Sequence, residues 1–223
     1  MVILRELNKA YRFLRALPKS VYFNFKYLEA RHAIRLPVLI SHRVSLDLVK
    51  GRVIVEDPST FSVRIGFDRA GISDESAGSV WQVSGTVVFK GRTRIGPSAK
   101  IVAAGTMVFG DNFNAGSGVS FYCAKEVVFG DGCLLSWDIT LMDHDFHEIR
   151  ELGSDALVNP PKEIVVGNGV WIGCNATLLK GSGCDDGCVV AAGALLNKRF
   201  EGANQILGGN PPRVLKQNVY WRP

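Results

Sequence analysis

The chain has 223 residues, 47% hydrophobic and 21% charged, which fits one globular domain with a small appendage and excludes a low-complexity or disordered polypeptide. Its 24 glycines against 9 prolines suggest repeated turn positions and not a linker, and no apolar run is long enough for a transmembrane helix. The net charge of +5 is uneven: residues 1–35 hold eight Lys/Arg against Glu6 and Glu29, giving +6, while the remainder holds 18 basic and 19 acidic residues, giving −1.

Residues 1–50 form the first unit, a basic amphipathic segment. Leu4, Leu7, Tyr11 and Leu14 recur at helical spacing, with Arg5, Lys9, Arg12 and Arg15 mostly off that stripe, and Pro18 is expected to end the helix. Arg and Lys interleave with the apolar residues, unlike a secretory leader. Such a helix suits an anionic membrane surface or packing against the main domain with its basic face solvated. The expected location is cytoplasmic, with residues 1–35 as a peripheral contact at the inner face of the membrane on the first of these readings.

A second unit is expected over 51–218, where short β-rich pieces alternate with Gly, Asn and Asp. Internal repeats are found there. From Phe89 apolar anchors recur every six residues (Phe89, Ile95, Ile101) and, after a two-residue insertion, restart at Phe109, Ala115, Phe121 and at Phe129, Leu135, Leu141. The rhythm resumes without insertion at Val166, Ile172, Leu178, Cys184, Val190 and Leu196, with Val170, Ala176, Ser182, Cys188 and Ala194 four places after the first five. A six-residue side holds one short strand and one turn, and three sides close a triangular coil whose anchors point inward. This places Cys184 and Cys188 in the core. The five cysteines are odd in number and lack C-x-x-C pairs, which argues against a disulfide framework and a zinc site; no metal is expected.

On these residues the chain resembles the hexapeptide-repeat acyltransferase family over about residues 85–218. Gly167-Asn168-Gly169-Val170-Trp171-Ile172-Gly173, then Ala192-Gly193 followed by Lys198, then Gly209-Asn210-Pro211 followed by Val214, are similar to its C-terminal signature. The resemblance implies an all-β fold, a single-stranded left-handed parallel β-helix, an exception to the right-handed crossover rule. It also implies acyl transfer from acetyl-CoA and a homotrimer with active sites between coils.

The hexads fail over the loop 142–163, which holds His144 and His147, two of only four histidines. An alcohol is a poor nucleophile at neutral pH, so acylating a sugar hydroxyl needs a base, and imidazole fits, with a carboxylate to fix its tautomer. Sugar and polysaccharide acetyltransferases of this family carry a D-x-H in this loop. The resemblance therefore implies His147 as base and Asp145 as its partner, with His144 as the competing base. Cys123 is the rival nucleophile.

For the donor, small Gly173, Ala191, Ala192 and Gly193 are expected to keep a groove open for the pantetheine arm. The resemblance implies contacts from Trp171 near the thioester, from Ala192, from Asn197 and Lys198 where the family has Thr-Lys, and from Arg213 and Lys216 toward the phosphates. Gly208–Pro212 is expected to turn the chain off the last coil, and 219–223 to form a tail. The loop and N-terminal segment resemble capsule or lipopolysaccharide O-acetyltransferases, so the expected acceptor is a glycan. The alternatives are N-acetylation of an amino sugar nucleotide, acetylation of an antibiotic or free sugar, a non-catalytic scaffold and, weakest, a zinc-dependent hydratase. No nucleic-acid partner is expected.

Overall fold

The computed structural model describes residues 2–67 and 78–222, and the side chains of residues 2–6, 8 and 9, among them Leu4, Arg5 and Lys9, lie outside the described set. The chain winds into stacked triangular coils with three parallel faces. The first face holds nine strands from Val38–Ile40 to Arg213–Lys216, the second seven from Val44–Val49 to Leu195–Leu196, and the third seven from Arg52–Val55 to Arg199–Phe200. On each face neighbouring strands come from successive coils, so every coil hydrogen-bonds to those above and below. This is the left-handed parallel β-helix with an N-terminal helix that the hexads and the resemblance suggest.

The fifteen hexad anchors are all buried, as are the small residues four places on. Phe89, Phe109 and Phe129 stack up the prism axis with centroids 5.3 and 5.8 Å apart, and Phe113 and Phe121 pack around them. The corner between the third and first faces is fastened by a side-chain ladder. Asp111 accepts the amide of Arg92, Asp131 that of Asp111, Asn168 that of Asp131 and Asp186 that of Asn168, all at 2.7–2.8 Å.

Two expected boundaries move. The coils begin at Val38, upstream of Gly51, because the wholly buried strand Val38–Ile40 and the strand Val44–Val49 complete the first turn. Nor does Pro18 end the helix, which runs Val2–Tyr27 with the proline inside. Tertiary contact outweighs the hydrogen bond lost at Pro18, since the second half of the helix covers the open edge of the first coil. Ser20 Oγ accepts from Ile40 N at 3.0 Å while its own proton lies nearest Ala16 O, and Asn24 bonds both Val38 O and Val38 N at 2.7 and 3.1 Å. Phe23 enters the core against Trp81, and Lys19 donates to the carbonyls of His42 and Val44. An unpaired strand edge is thereby satisfied by helix side chains.

At the other end, Arg213–Lys216 adds antiparallel to Ile206–Gly208. The tail packs back, with Trp221 Nε1 donating to Gly169 O at 2.6 Å.

Asn24→Ala, which strips partners from a buried N–H and C=O, should lower the free energy of unfolding by about 1–3 kcal/mol. Lys26→Ala, on an exposed site, should change it by no more than about 0.5 kcal/mol. Denaturant melts followed by circular dichroism make the comparison; equal midpoints for the two variants would contradict the capping role of the helix.

Candidate active site

The corner between the second and third faces carries a residue every twenty positions on the inward side: Val83, Ala103, Cys123 and Asp143, all buried. Asp143 is thus a carboxylate in a slot built for a small apolar side chain, fully shielded from solvent. Its desolvation is offset by four hydrogen bonds. Oδ1 accepts from Ala124 N at 2.7 Å and faces His144 Nδ1 at 3.0 Å; Oδ2 accepts from Lys125 N and Glu126 N, both at 2.8 Å. A carboxylate is acceptor-only, so Nδ1 of His144 is the donor, and in the neutral ring Nε2 is the atom that carries the lone pair.

Around His144 the loop is pinned at its base and at its middle. Lys162 N donates to Asp143 O at 3.0 Å, closing the loop where it leaves the prism, and Lys125 pairs with Glu163 beside it. Asn159 Nδ2 donates to Asp145 Oδ2 at 2.8 Å and to His147 O at 2.9 Å, while Asn159 Oδ1 accepts from Ile149 N at 2.7 Å. Lys180, from the next coil, donates to Asp145 and to Asn159 O. Phe146, held at φ 62°, sets its ring 4.4 Å from that of His144 and 5.3 Å from that of Tyr122.

The expected pairing of Asp145 with His147 is therefore not made. Asp145 is taken by Lys180 and Asn159, which hold its carboxyl below the usual range, and His147 is exposed. His144, half-buried, has the orienting carboxylate. Cys123, the rival nucleophile, is buried, donates to Thr106 O at 3.3 Å, and has its thiol pushed far up by burial and then by the Asp143 charge; it stays protonated. Asp143 and Lys180 are the residues sequence reasoning passed over. The twenty-residue period, counted from Cys123, would have placed Asp143 inside the corner.

The expected donor residues divide between two corners. Trp171, exposed, donates from Nε1 to Ser136 Oγ at 3.1 Å and lies 6.0 Å from Trp221, at the end of the first face that leads to the second. Ala192 and Gly193 are exposed in that same corner, and a side chain at Gly193 would meet nothing within 4 Å, so an open ledge exists there. Gly173 does not line it: a Cβ there would come within 2.6 Å of Ala192 N, so this glycine serves coil stacking. Arg213 and Lys216 are exposed on the added antiparallel strand. Asn197 and exposed Lys198, the latter over the Phe200 ring, follow Leu195–Leu196 and so lie in the corner of His144, two coils on.

Asp143→Asn keeps the volume but turns an NH2 group toward donors. Amide exchange at Ala124, Lys125 and Glu126 should then accelerate by at least about tenfold, with that of Met107, two coils away, unchanged. Unaltered exchange at the three amides would mean that Asp143 does not hold this corner.

No family model matches the chain. Among curated proteins it is similar to the polysialic acid O-acetyltransferases of Escherichia coli O1:K1 (27% identical over 89 residues, 40% of this chain and 29% of that protein) and of Neisseria meningitidis (31% over 89 residues, 40% and 41%). A chloramphenicol acetyltransferase of Agrobacterium fabrum is 38% identical over 58 residues, 26% of this chain and 27% of that protein. Each match thus spans less than half of the curated relative. The crystal structure of the polySia-specific acetyltransferase NeuO overlays with a TM-score of 0.56 at 20% identity, covering 83% of this chain and 79% of that one. That of the polysialic acid O-acetyltransferase OatWY gives 0.51 at 21%, covering 83% and 84%. At such identities the overlays bear on the fold alone.

Proposed function

We propose that this chain, whose relatives in sequence and fold are acetyltransferases, is an acetyl-CoA-dependent O-acetyltransferase acting on a sugar hydroxyl of a glycan, with His144 as general base. The observation that carries the proposal is the buried Asp143 fastened to His144 Nδ1, which makes Nε2 of the neutral ring the atom able to act as base. Nε2 takes the proton of the acceptor hydroxyl as its oxygen attacks, and the resulting imidazolium is steadied by a carboxylate 3.0 Å away. The same nitrogen then returns the proton to the leaving thiolate. Asp145, through Lys180 and Asn159, positions the loop and takes no proton.

Bound acetyl-CoA supplies the activated acyl carbonyl. The residues that would hold it are Trp171, Ala192 and Gly193 on the open ledge, Arg213 and Lys216 toward the phosphates, and Asn197 and Lys198. The similarity of the polysialic acid O-acetyltransferases supports a polysaccharide acceptor. Capsule or lipopolysaccharide biosynthesis is the setting this reading implies.

The active form in this proposal is a homotrimer. Ile54, Val88, Val108, Val128 and Val165 stand in register as an outward, half-buried aliphatic ladder up the third face. Such a stripe suits contact with a second prism. His144, at an edge of that face, would then stand beside the contact with a neighbouring prism.

Release of free thiol with a polysaccharide acceptor tests the reading. His144→Ala should reduce the acceptor-dependent rate about 10²–10⁴-fold, and His147→Ala by less than about threefold, since its imidazole has no orienting carboxylate. The opposite ranking would transfer the role to His147; no loss in either variant would remove histidine from the chemistry.

A further inference from the structure

The helix Val2–Tyr27 has two opposed faces. The one buried on the coil is Ala16, Ser20, Phe23, Asn24 and the half-buried Tyr27. The apolar stripe noted in the sequence is not on it. Leu7, Tyr11 and Leu14 are 62%, 56% and 63% exposed, and the stripe continues past the proline through Val21, Tyr22 and Phe25. With Pro18, also exposed, the positions 7, 11, 14, 18, 21 and 25 keep an unbroken four–three spacing. At 3.6 residues per turn, position 18 lies roughly 160–200° from positions 16 and 20. The stripe therefore faces away from the first coil, on the end of the prism.

A row of large apolar side chains that the fold leaves uncovered needs a partner, and charge decides which. The helix carries six Lys/Arg (Arg5, Lys9, Arg12, Arg15, Lys19, Lys26) against the single acid Glu6. A second copy of the helix laid on this face would bring like charges together with no acidic row to receive them. A flat anionic surface takes both the apolar row and the positive charge. Among the described residues no helix is long and apolar enough to cross a membrane, so contact would be along the helix and not through it.

We infer that this helix is a lipid-binding foot that seats the prism, end-on, on an anionic bilayer. The stripe enters the interface, and the basic flank meets the headgroups. Ser20, Asn24 and Lys19 meanwhile tie the helix to the first coil, so the whole prism is carried with it. The inference is independent of the reaction proposed above: it needs neither His144 nor a donor.

Co-sedimentation of the full chain with vesicles tests it, comparing pure phosphatidylcholine with phosphatidylcholine doped with phosphatidylglycerol. The anionic vesicles should bind at least about tenfold better, with binding falling as salt rises. Combined Leu7→Ser, Leu14→Ser and Phe25→Ser should weaken that binding at least about tenfold at an unchanged melting midpoint. The pair Arg15→Glu and Lys26→Glu, which leaves the stripe intact, should remove the preference for anionic lipid. Equal binding to both vesicles, or retention by the serine variant, would overturn the inference. So would a serine variant that, without vesicles, falls to a smaller assembly than the parent, since a second copy would then be the occupant.

Discussion

Parallel pairing of each coil with the next is the constraint from which the other features follow. It fixes the side-chain direction at every position, so residues one coil apart share one environment, twenty positions on from Val83 to Asp143 and eighteen on after Val166. It leaves unpaired edges only at the two ends. The core aromatics stack because Phe89, Phe109 and Phe129 are the same position on successive coils. Asp143 is buried for the same reason, being the successor of Cys123 in a slot that points inward. Because the slot belongs to a corner, the amides of Ala124, Lys125 and Glu126 converge on it, and the carboxylate is held by backbone before any loop residue takes part.

That arrangement separates two kinds of acid in one short motif. Asp143 is solvated by the protein and faces an imidazole; Asp145, two residues on, is on the loop surface and faces an ammonium group. The first suits an orienting partner for a base, because it cannot reach water or another cation. The second is a fastener between loop and coil. Phe146 in the left-handed region and its contact with the His144 ring fit a loop shaped around that histidine.

The coils were legible wherever one residue type had to recur. All fifteen anchors, Cys184 among them, lie in the core, as does the small residue Cys188. Legibility failed where a long-range partner overruled a local signal. Pro18 reads as a stop until Phe23, Ser20 and Asn24 find the first coil, and the strands over 38–49 hold a single hexad step, Ile40 to Leu46, too short a run to announce a coil. In the loop, the family's D-x-H implied a pairing of Asp145 with His147, whereas Asp145 is taken by Lys180, a coil away. Gly173 likewise reads as a groove residue, and only the approach of Ala192 shows that it serves the stacking of coils.

The two ends of the prism thereby acquire different characters. The C-terminal end is closed by a strand and an aromatic tail over Gly169, next to the exposed Trp171. The N-terminal end is closed by a helix whose inner face is polar enough to satisfy a strand edge and whose outer face is apolar. The chemistry proposed at the corner rests on one hydrogen bond, and nitrogen-15 NMR of the imidazoles reads it directly. Near neutral pH the account requires His144 to carry its proton on Nδ1, coupled to a low-field resonance lost in Asp143→Asn, with Nε2 unprotonated. A proton on Nε2 of His144 in the intact protein, or a carboxylate-bound proton on His147 instead, would contradict it.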